Sequence, residues 1–273
     1  MPDWKKIDDA VRVKPGAKVK IADLDTLRAD LFDDKKDAEK LVAEHALAIN
    51  TLQDRLFAER KRAVLVVLQG IDTSGKDGTV RGVFNATGPL GVNVTPFGRP
   101  TEEELAHDYL WRVHAAIPKR GFIGIFNRSH YEDVLVGRVR KLAPDDAIEA
   151  RYDQINAFEK HLTENGVTLL KFMLHISKDE QKKRLQERLD EPEKRWKWNA
   201  GDLEDRKLWD EYQAAYEIML RRTSTAHATW RVVPADKKWR RNAVIASIVR
   251  GALEELDPQY PTFSWKPTDF TID

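Results

Sequence analysis

The densest chemistry in the chain lies in nine consecutive residues, Gly70-Ile71-Asp72-Thr73-Ser74-Gly75-Lys76-Asp77-Gly78. They follow an apolar, β-branched run and precede a helical stretch, which is the setting that the GxxxxGK part of a P-loop requires. Glycines let the backbone wrap closely round a phosphate. Successive N–H groups and a helix N-terminus then face the anion, and Lys76 adds a mobile positive charge. On this reading Gly70, Thr73, Ser74, Gly75, Lys76, Asp77 and Gly78 bind phosphate. The loop departs from the usual ending, because Asp77 stands where Ser or Thr would reach a metal ion, and Asp72 adds a second carboxylate. Carboxylates beside phosphate repel it unless a cation sits between, so the pattern predicts a Mg²⁺ bridge. Asp72 could also orient an attacking phosphate oxygen. The competing account of Asp77 is an acidic residue in the first turn of a helix.

A second group of candidates follows the apolar run Phe122–Phe126: Asn127, Arg128, Ser129, His130, Tyr131, Glu132 and Asp133. In open α/β sheets ligands sit beyond the carboxyl ends of the strands, so this loop should border the first. The Arg128 guanidinium suits bidentate contact with phosphate, and Asn127 suits a metal-bound water or phosphate. The alternative is a surface loop that caps the next helix through Ser129. A third patch, Phe97-Gly98-Arg99, would line an acceptor pocket, with Phe97 against a base and Arg99 near its phosphate. A helix cap at Thr101 explains that patch nearly as well.

Cations also cluster at Arg138, Arg140 and Lys141, at Lys182, Lys183, Arg184 and Arg188, and at Lys194, Arg195 and Lys197. A single nucleotide needs about two or three such residues and an extended polyanion needs a track. For Lys182, Lys183 and Arg184 a solvated helix face is the preferred reading. Trp196 and Trp198 read as packing residues rather than base-stacking surfaces.

Positioning these residues requires a scaffold, and the chain supplies one. Buried-strand patterns recur at 63–68, 92–97, 122–126, 168–176 and 229–233, with helical patterns at 37–61, 77–87, 101–116, 144–164, 178–189, 204–222 and 237–256. Alternation of this kind predicts a three-layer α/β fold, a parallel sheet of about five strands with helices on both faces and a helical lid. The expected organisation is an irregular N-terminal arm (1–36), one kinase-type domain (37–256) with a lid at about 181–205, and a tail (257–273) packed by its aromatics. With 273 residues, 41% of them hydrophobic, the chain can bury a substantial core. Cysteine is absent, which removes disulfides, thiolate nucleophiles and zinc-thiolate sites. Lys and Arg total 46 against 45 Asp and Glu, so any anion site must be local. No apolar run approaches a bilayer span and the N-terminus lacks a signal-peptide core, so a cytoplasmic setting without membrane contact is expected.

The segments GIDTSGKDG, TPFGRPT, DYLWRVH, IFNRSHYEDVLV, LHISKDEQKKRLQERLDEPEKRWKW and GDLEDRKLW resemble the polyphosphate kinase 2 family, in order, from about Leu41 to Ala235. The resemblance implies a P-loop kinase fold with a lid, dependence on Mg²⁺ (with Mn²⁺ as a substitute), and transfer of a terminal phosphoryl group between polyphosphate and a nucleotide. Its catalytic roles fall on Asp72, Lys76, Arg128, Arg188 and Arg195, with Lys194 as a further phosphate ligand. Phe97, Gly98, Arg99, Asn127, Glu132 and Asp133 are the acceptor-side candidates. Some members carry Asp where this chain has Asn127, so metal binding here must lean on Asp72, on phosphate oxygens or on Glu132, with Asn127 beside them. The FNRSHYEDV segment resembles the subgroup that accepts both AMP and ADP. Partners expected on this basis are polyphosphate, AMP, ADP, ATP and guanine nucleotides, with a dimeric or tetrameric homo-oligomer and no nucleic acid. Two other classes fit the residues less fully: an ATP-dependent nucleotide or metabolite kinase, and a non-catalytic polyanion-binding module.

Overall fold

The run Ala63–Gln69 forms the central strand, β1, and every residue in it is buried. That is the expected fate of a continuous apolar stretch in a sheet covered on both faces. In the computed structural model, which describes residues 3–272, the sheet has five strands: β1, β2 (Val92–Pro96), β3 (Ile123–Asn127), β4 (Val167–His175) and β5 (Trp230–Pro234). Their order is β2-β3-β1-β4-β5 and every pairing is parallel. The chain therefore builds outward from β1 in both directions, and a crevice opens beyond the carboxyl ends of β1, β3 and β4. The predicted strands are all present. Only β2 differs in character, since it is the sheet edge and its residues are half-buried or exposed.

The helices are α1 (Trp4–Val11), α2 (Lys35–Glu59), α3 (Lys76–Val83), α4 (Glu102–Leu105), α5 (Trp111–Ala115), α6 (Glu132–Val139), α7 (Asp145–Glu164), α8 (Lys178–Asp190), α9 (Gly201–Lys207), α10 (Trp209–Thr223) and α11 (Lys238–Leu256). Local chemistry sets several boundaries. Thr101 and Glu104 form a reciprocal capping box at α4, and Ser177 accepts from the Glu180 N–H at the start of α8; such caps satisfy N–H groups that a helix start leaves unpaired. The helix predicted over 101–116 is two short ones, because the Asp108 side chain accepts from the Leu110 N–H and offers the backbone a turn instead. The predicted 204–222 helix breaks likewise at Leu208.

The N-terminal arm is not irregular throughout. Trp4, Ile7 and Val11 are spaced for one helical face, and α1 lays that face against the core. Trp4 packs where Gly251 of α11 has no side chain; a Cβ there would lie 2.2 Å from the indole. Beyond α1, Val13 donates its N–H to the Trp230 carbonyl (2.8 Å) and Arg12 bridges Arg231, so the arm covers the open edge of β5. Asp8 is fully buried and pairs with both Arg231 and Arg12. Asp8→Ala is expected to lower stability by about 3 kcal/mol, because the buried Arg231 is left without its partner. Urea denaturation measures it.

The tail's aromatics pack mainly on one another: Phe263 stacks on Trp265 (4.9 Å) and Trp265 meets Phe270 edge-on (5.6 Å), all well exposed. Among the described residues no helix is long and apolar enough to cross a membrane.

Candidate active site

The loop between β1 and α3 has the backbone its glycines predict. Gly70, Thr73 and Gly75 take positive φ values of 148°, 67° and 102°. Gly75 is constrained twice over, since a Cβ there would also lie 1.9 Å from Nη1 of Arg241. Gly75 caps the N-terminus of α3, which leaves Asp77 in the first turn rather than at the cap.

Lys76 turns back over the loop, donating to the carbonyls of Gly70 (2.7 Å) and Ile71 (3.4 Å). Burial and the nearby Arg128 lower its pKa to about 8, against the opposing pull of Asp72, Glu132 and Asp77. A lysine that releases its proton near pH 8 binds anions less well above that pH. Affinity of the free protein for inorganic polyphosphate should therefore fall roughly tenfold for each pH unit above 8. Titration calorimetry across that range reads the loss, and a flat profile would contradict it.

Arg128 stands at the end of β3 with φ of 65°. Its guanidinium pairs with Asp72 through Nη2 and with Glu132 through Nη1 (3.1 Å). Burial works against the charge, but Glu132 and Asp72 outweigh it and hold the proton more tightly than in an ordinary arginine. Beside it, the Asn127 amide donates to Asp77 (2.7 Å), whose other oxygen lies 3.7 Å from Lys197. Burial would raise the Asp77 carboxyl, but these two partners bring it below its usual range.

A cleft of about 550 Å³ opens between these loops and the segment 192–207. Asp72, Thr73, Gly75, Lys76, Asp77 and Gly78 line its floor, Phe97, Gly98, Asn127 and Arg128 one side, and Arg188 and Lys194 the other. Several predicted residues stand outside it. Gly70 and Ser74 are buried within the loop and do not line the cleft. Arg99 is exposed, and Arg195 is exposed with its Nε on the Leu189 carbonyl. Glu132 meets the cleft only through Arg128, and Asp133 faces a separate cavity with Arg151 3.8 Å away. Phe97 is buried, with the Phe126 ring edge-on at 4.8 Å and the Arg112 guanidinium over its ring at 5.3 Å. Trp196 is 71% exposed and packs on nothing substantial, contrary to the expected packing role. Arg138 and Arg140 pair with Glu149 and Asp205 and do not line the cleft.

The sequence reading misjudged one arginine and missed another. Arg184 is buried, not solvated: it donates to the carbonyls of Thr73 (2.9 Å), Ser74 (3.1 Å) and Ala235 (2.7 Å), tying the P-loop to α8 and β5. Arg241, 2% exposed, lies flat against Gly75 and Gly78. Burial and neighbouring Arg184 lower its pKa to about 9. Spacing did hold the signal: Arg184 shares the face of Gln181 and Leu185, and Arg241 that of Val244, Ile245 and Ile248. Lys238 and Asp202 also line the cleft. Asp202 pairs with Arg188 (2.6 Å), and burial together with Asp72 raises its carboxyl pKa.

Asp72, Asp77 and the Asn127 amide offer the hard oxygen donors that Mg²⁺ takes. Among the described residues no three His, Cys, Asp or Glu side chains converge to hold an ion unaided. The donor set fits an ion that brings phosphate oxygens and water with it. Chemically, the cleft is an anion site in which Lys and Arg outnumber the carboxylates of Asp72, Asp77, Glu187 and Asp202.

Comparison with known proteins shows the family and the fold. The profile of the polyphosphate kinase 2 family matches residues 32–261. An AMP/ADP-polyphosphate phosphotransferase of Meiothermus ruber is 52% identical over 255 residues, 92% of this chain and 94% of that protein. An ADP-polyphosphate phosphotransferase of Rhodopseudomonas palustris is 39% identical, covering 92% and 91%. The crystal structure of polyphosphate kinase 2 from Arthrobacter aurescens TC1 superposes with a TM-score of 0.91 at 41% identity, over 96% of this chain and 94% of that one. By its profile, its relatives and its three-dimensional structure, the chain belongs to the polyphosphate kinase 2 family.

Proposed function

We propose that this protein transfers the terminal phosphoryl group of inorganic polyphosphate to AMP and ADP, and that the reaction is reversible. The observation that carries the reading is the distribution of charge in the cleft. Arg184 and Arg241 press on the P-loop from behind, while Arg188, Lys194, Lys197 and Lys238 carry the cations onward, outnumbering Asp77, Glu187 and Asp202 with which they pair. One nucleotide phosphate group does not need that many cations, and a linear polyanion does. The 52% identity to a relative named for both AMP and ADP supports the dual acceptor.

In this mechanism the P-loop N–H groups and Lys76 hold the transferring phosphoryl group, and Arg128 aims its donor fork at the same oxygens. Asp72, braced by Arg128, orients the attacking phosphate oxygen of the nucleotide. Arg188, together with Arg195 once the lid closes, stabilises the charge that spreads over the equatorial oxygens. Such transfers need placement and charge stabilisation more than covalent help. Asp72 and Asn127, with Asp77, are the residues that would hold Mg²⁺, which neutralises phosphate charge when bound. Phe97, Gly98, Arg99, Glu132 and Asp133 remain the acceptor-side assignments, Glu132 acting through Arg128.

The test is ATP formation from ADP, polyphosphate and Mg²⁺ with no ATP added, followed by the same assay with AMP. ATP from ADP and ADP from AMP support the proposal. Phosphorylation seen only when ATP is the donor would instead make this a nucleotide kinase.

A further inference from the structure

Away from the cleft, a fully buried polar cluster lies in the core beside the loop that follows β3. Lys171 stands at the middle of β4 between Leu170 and Phe172, and its ammonium is fully buried. It donates to Glu159 Oε2 (2.6 Å), to the Tyr131 hydroxyl (2.8 Å) and to the Thr223 carbonyl (2.8 Å). The rings of Tyr131 and Trp230 lie 5.2 and 5.0 Å from it. Glu159, equally buried on α7, accepts the Tyr131 hydroxyl proton at 2.6 Å and faces His130 Nε2 at 3.3 Å. Burial would raise this carboxyl, but Lys171 at 2.6 Å and His130 bring it below its usual range.

A buried ion pair of this kind adds little net stability, and well-packed apolar side chains often replace one without loss. Its placement suggests a different purpose. Tyr131 is the N-cap residue of α6, and the first helical residue, Glu132, holds the Arg128 guanidinium. Arg128 itself sits at a positive φ that a residue with a side chain seldom adopts. Between the two, Ser129 and His130 are fully buried.

We infer that the Lys171–Glu159 pair is a positioning device: by gripping the Tyr131 hydroxyl from two sides it fixes where α6 starts, and so the direction in which Glu132 holds Arg128 over the P-loop. The inference rests on the phosphotransfer reading above. Donors aimed at a developing charge lose much of their effect when displaced by a fraction of an ångström, and a core anchor supplies that precision where a surface loop cannot.

Tyr131→Phe removes the hydroxyl while leaving Lys171 and Glu159 paired with each other, so the fold is expected to survive. In the ATP-forming assay kcat should fall roughly tenfold while KM for ADP and for polyphosphate stays within about twofold. The decisive step is a double-mutant cycle with Arg128→Lys, which keeps the charge and loses the fork. If the hydroxyl acts through Arg128, adding Tyr131→Phe to Arg128→Lys costs less than about twofold more. An equal loss in both backgrounds, or wild-type kcat in Tyr131→Phe, overturns the inference. The same cycle with Glu159→Gln gives a second reading, in which additive losses again count against it. A wild-type protein that forms no ATP would defeat the functional proposal; an active wild type with additive losses would defeat the positioning role alone.

Discussion

Lys76→Ala is expected to lower ATP formation from ADP and polyphosphate by about three orders of magnitude, with the folded structure retained. The lysine is the mobile cation of the phosphate loop, and its ammonium sits within reach of the Gly70 and Ile71 carbonyls. Unlike the arginines around it, it can follow the phosphoryl group as charge moves toward the attacking oxygen, so its effect is concentrated in the transition state. Stability should change little, since burial already disfavours the ammonium in the free protein. Steady-state kinetics with circular dichroism decides the matter, and a folded variant within tenfold of wild type would remove the loop from the mechanism.

Arg128→Ala is expected to cost a similar or larger factor, roughly a thousandfold, the range over which arginines at phosphoryl-transfer sites act. Two effects combine. The donor fork disappears, and Asp72 and Glu132 lose the cation that neutralises them. Uncompensated carboxylates beside the P-loop repel the incoming polyanion, so KM for polyphosphate should rise as kcat falls. Arg128→Lys should recover part of the KM effect and little of kcat, because one ammonium screens the carboxylates without reproducing bidentate geometry. Full recovery by lysine would show that Arg128 acts as a charge only.

Local chemistry made the central features legible in the sequence. A β-branched run before a glycine-rich loop ending in Lys76 can hardly be anything but a buried strand feeding a phosphate cradle, and the five strands carry the same kind of signal. Thr101 reads as a helix cap, and the structure adds Glu104 as its reciprocal partner in a capping box. The N-terminal helix was overlooked because its apolar face, Trp4, Ile7 and Val11, is dispersed among charges.

What the sequence determined, then, is set by neighbours within a few residues: the strand runs, the phosphate loop, the cap at Thr101 and the candidate arginine after β3. Tertiary structure alone decided which distant cations converge. Arg184 belongs to a helix whose charges read as a solvated face, and Arg241 to a helix that is mostly apolar, yet both are buried on the P-loop. Arg138 and Arg140 look equally basic, yet carboxylates on other helices neutralise them. A charge's role depends on its partners across the fold, and electrostatic attraction acts through space regardless of position along the chain.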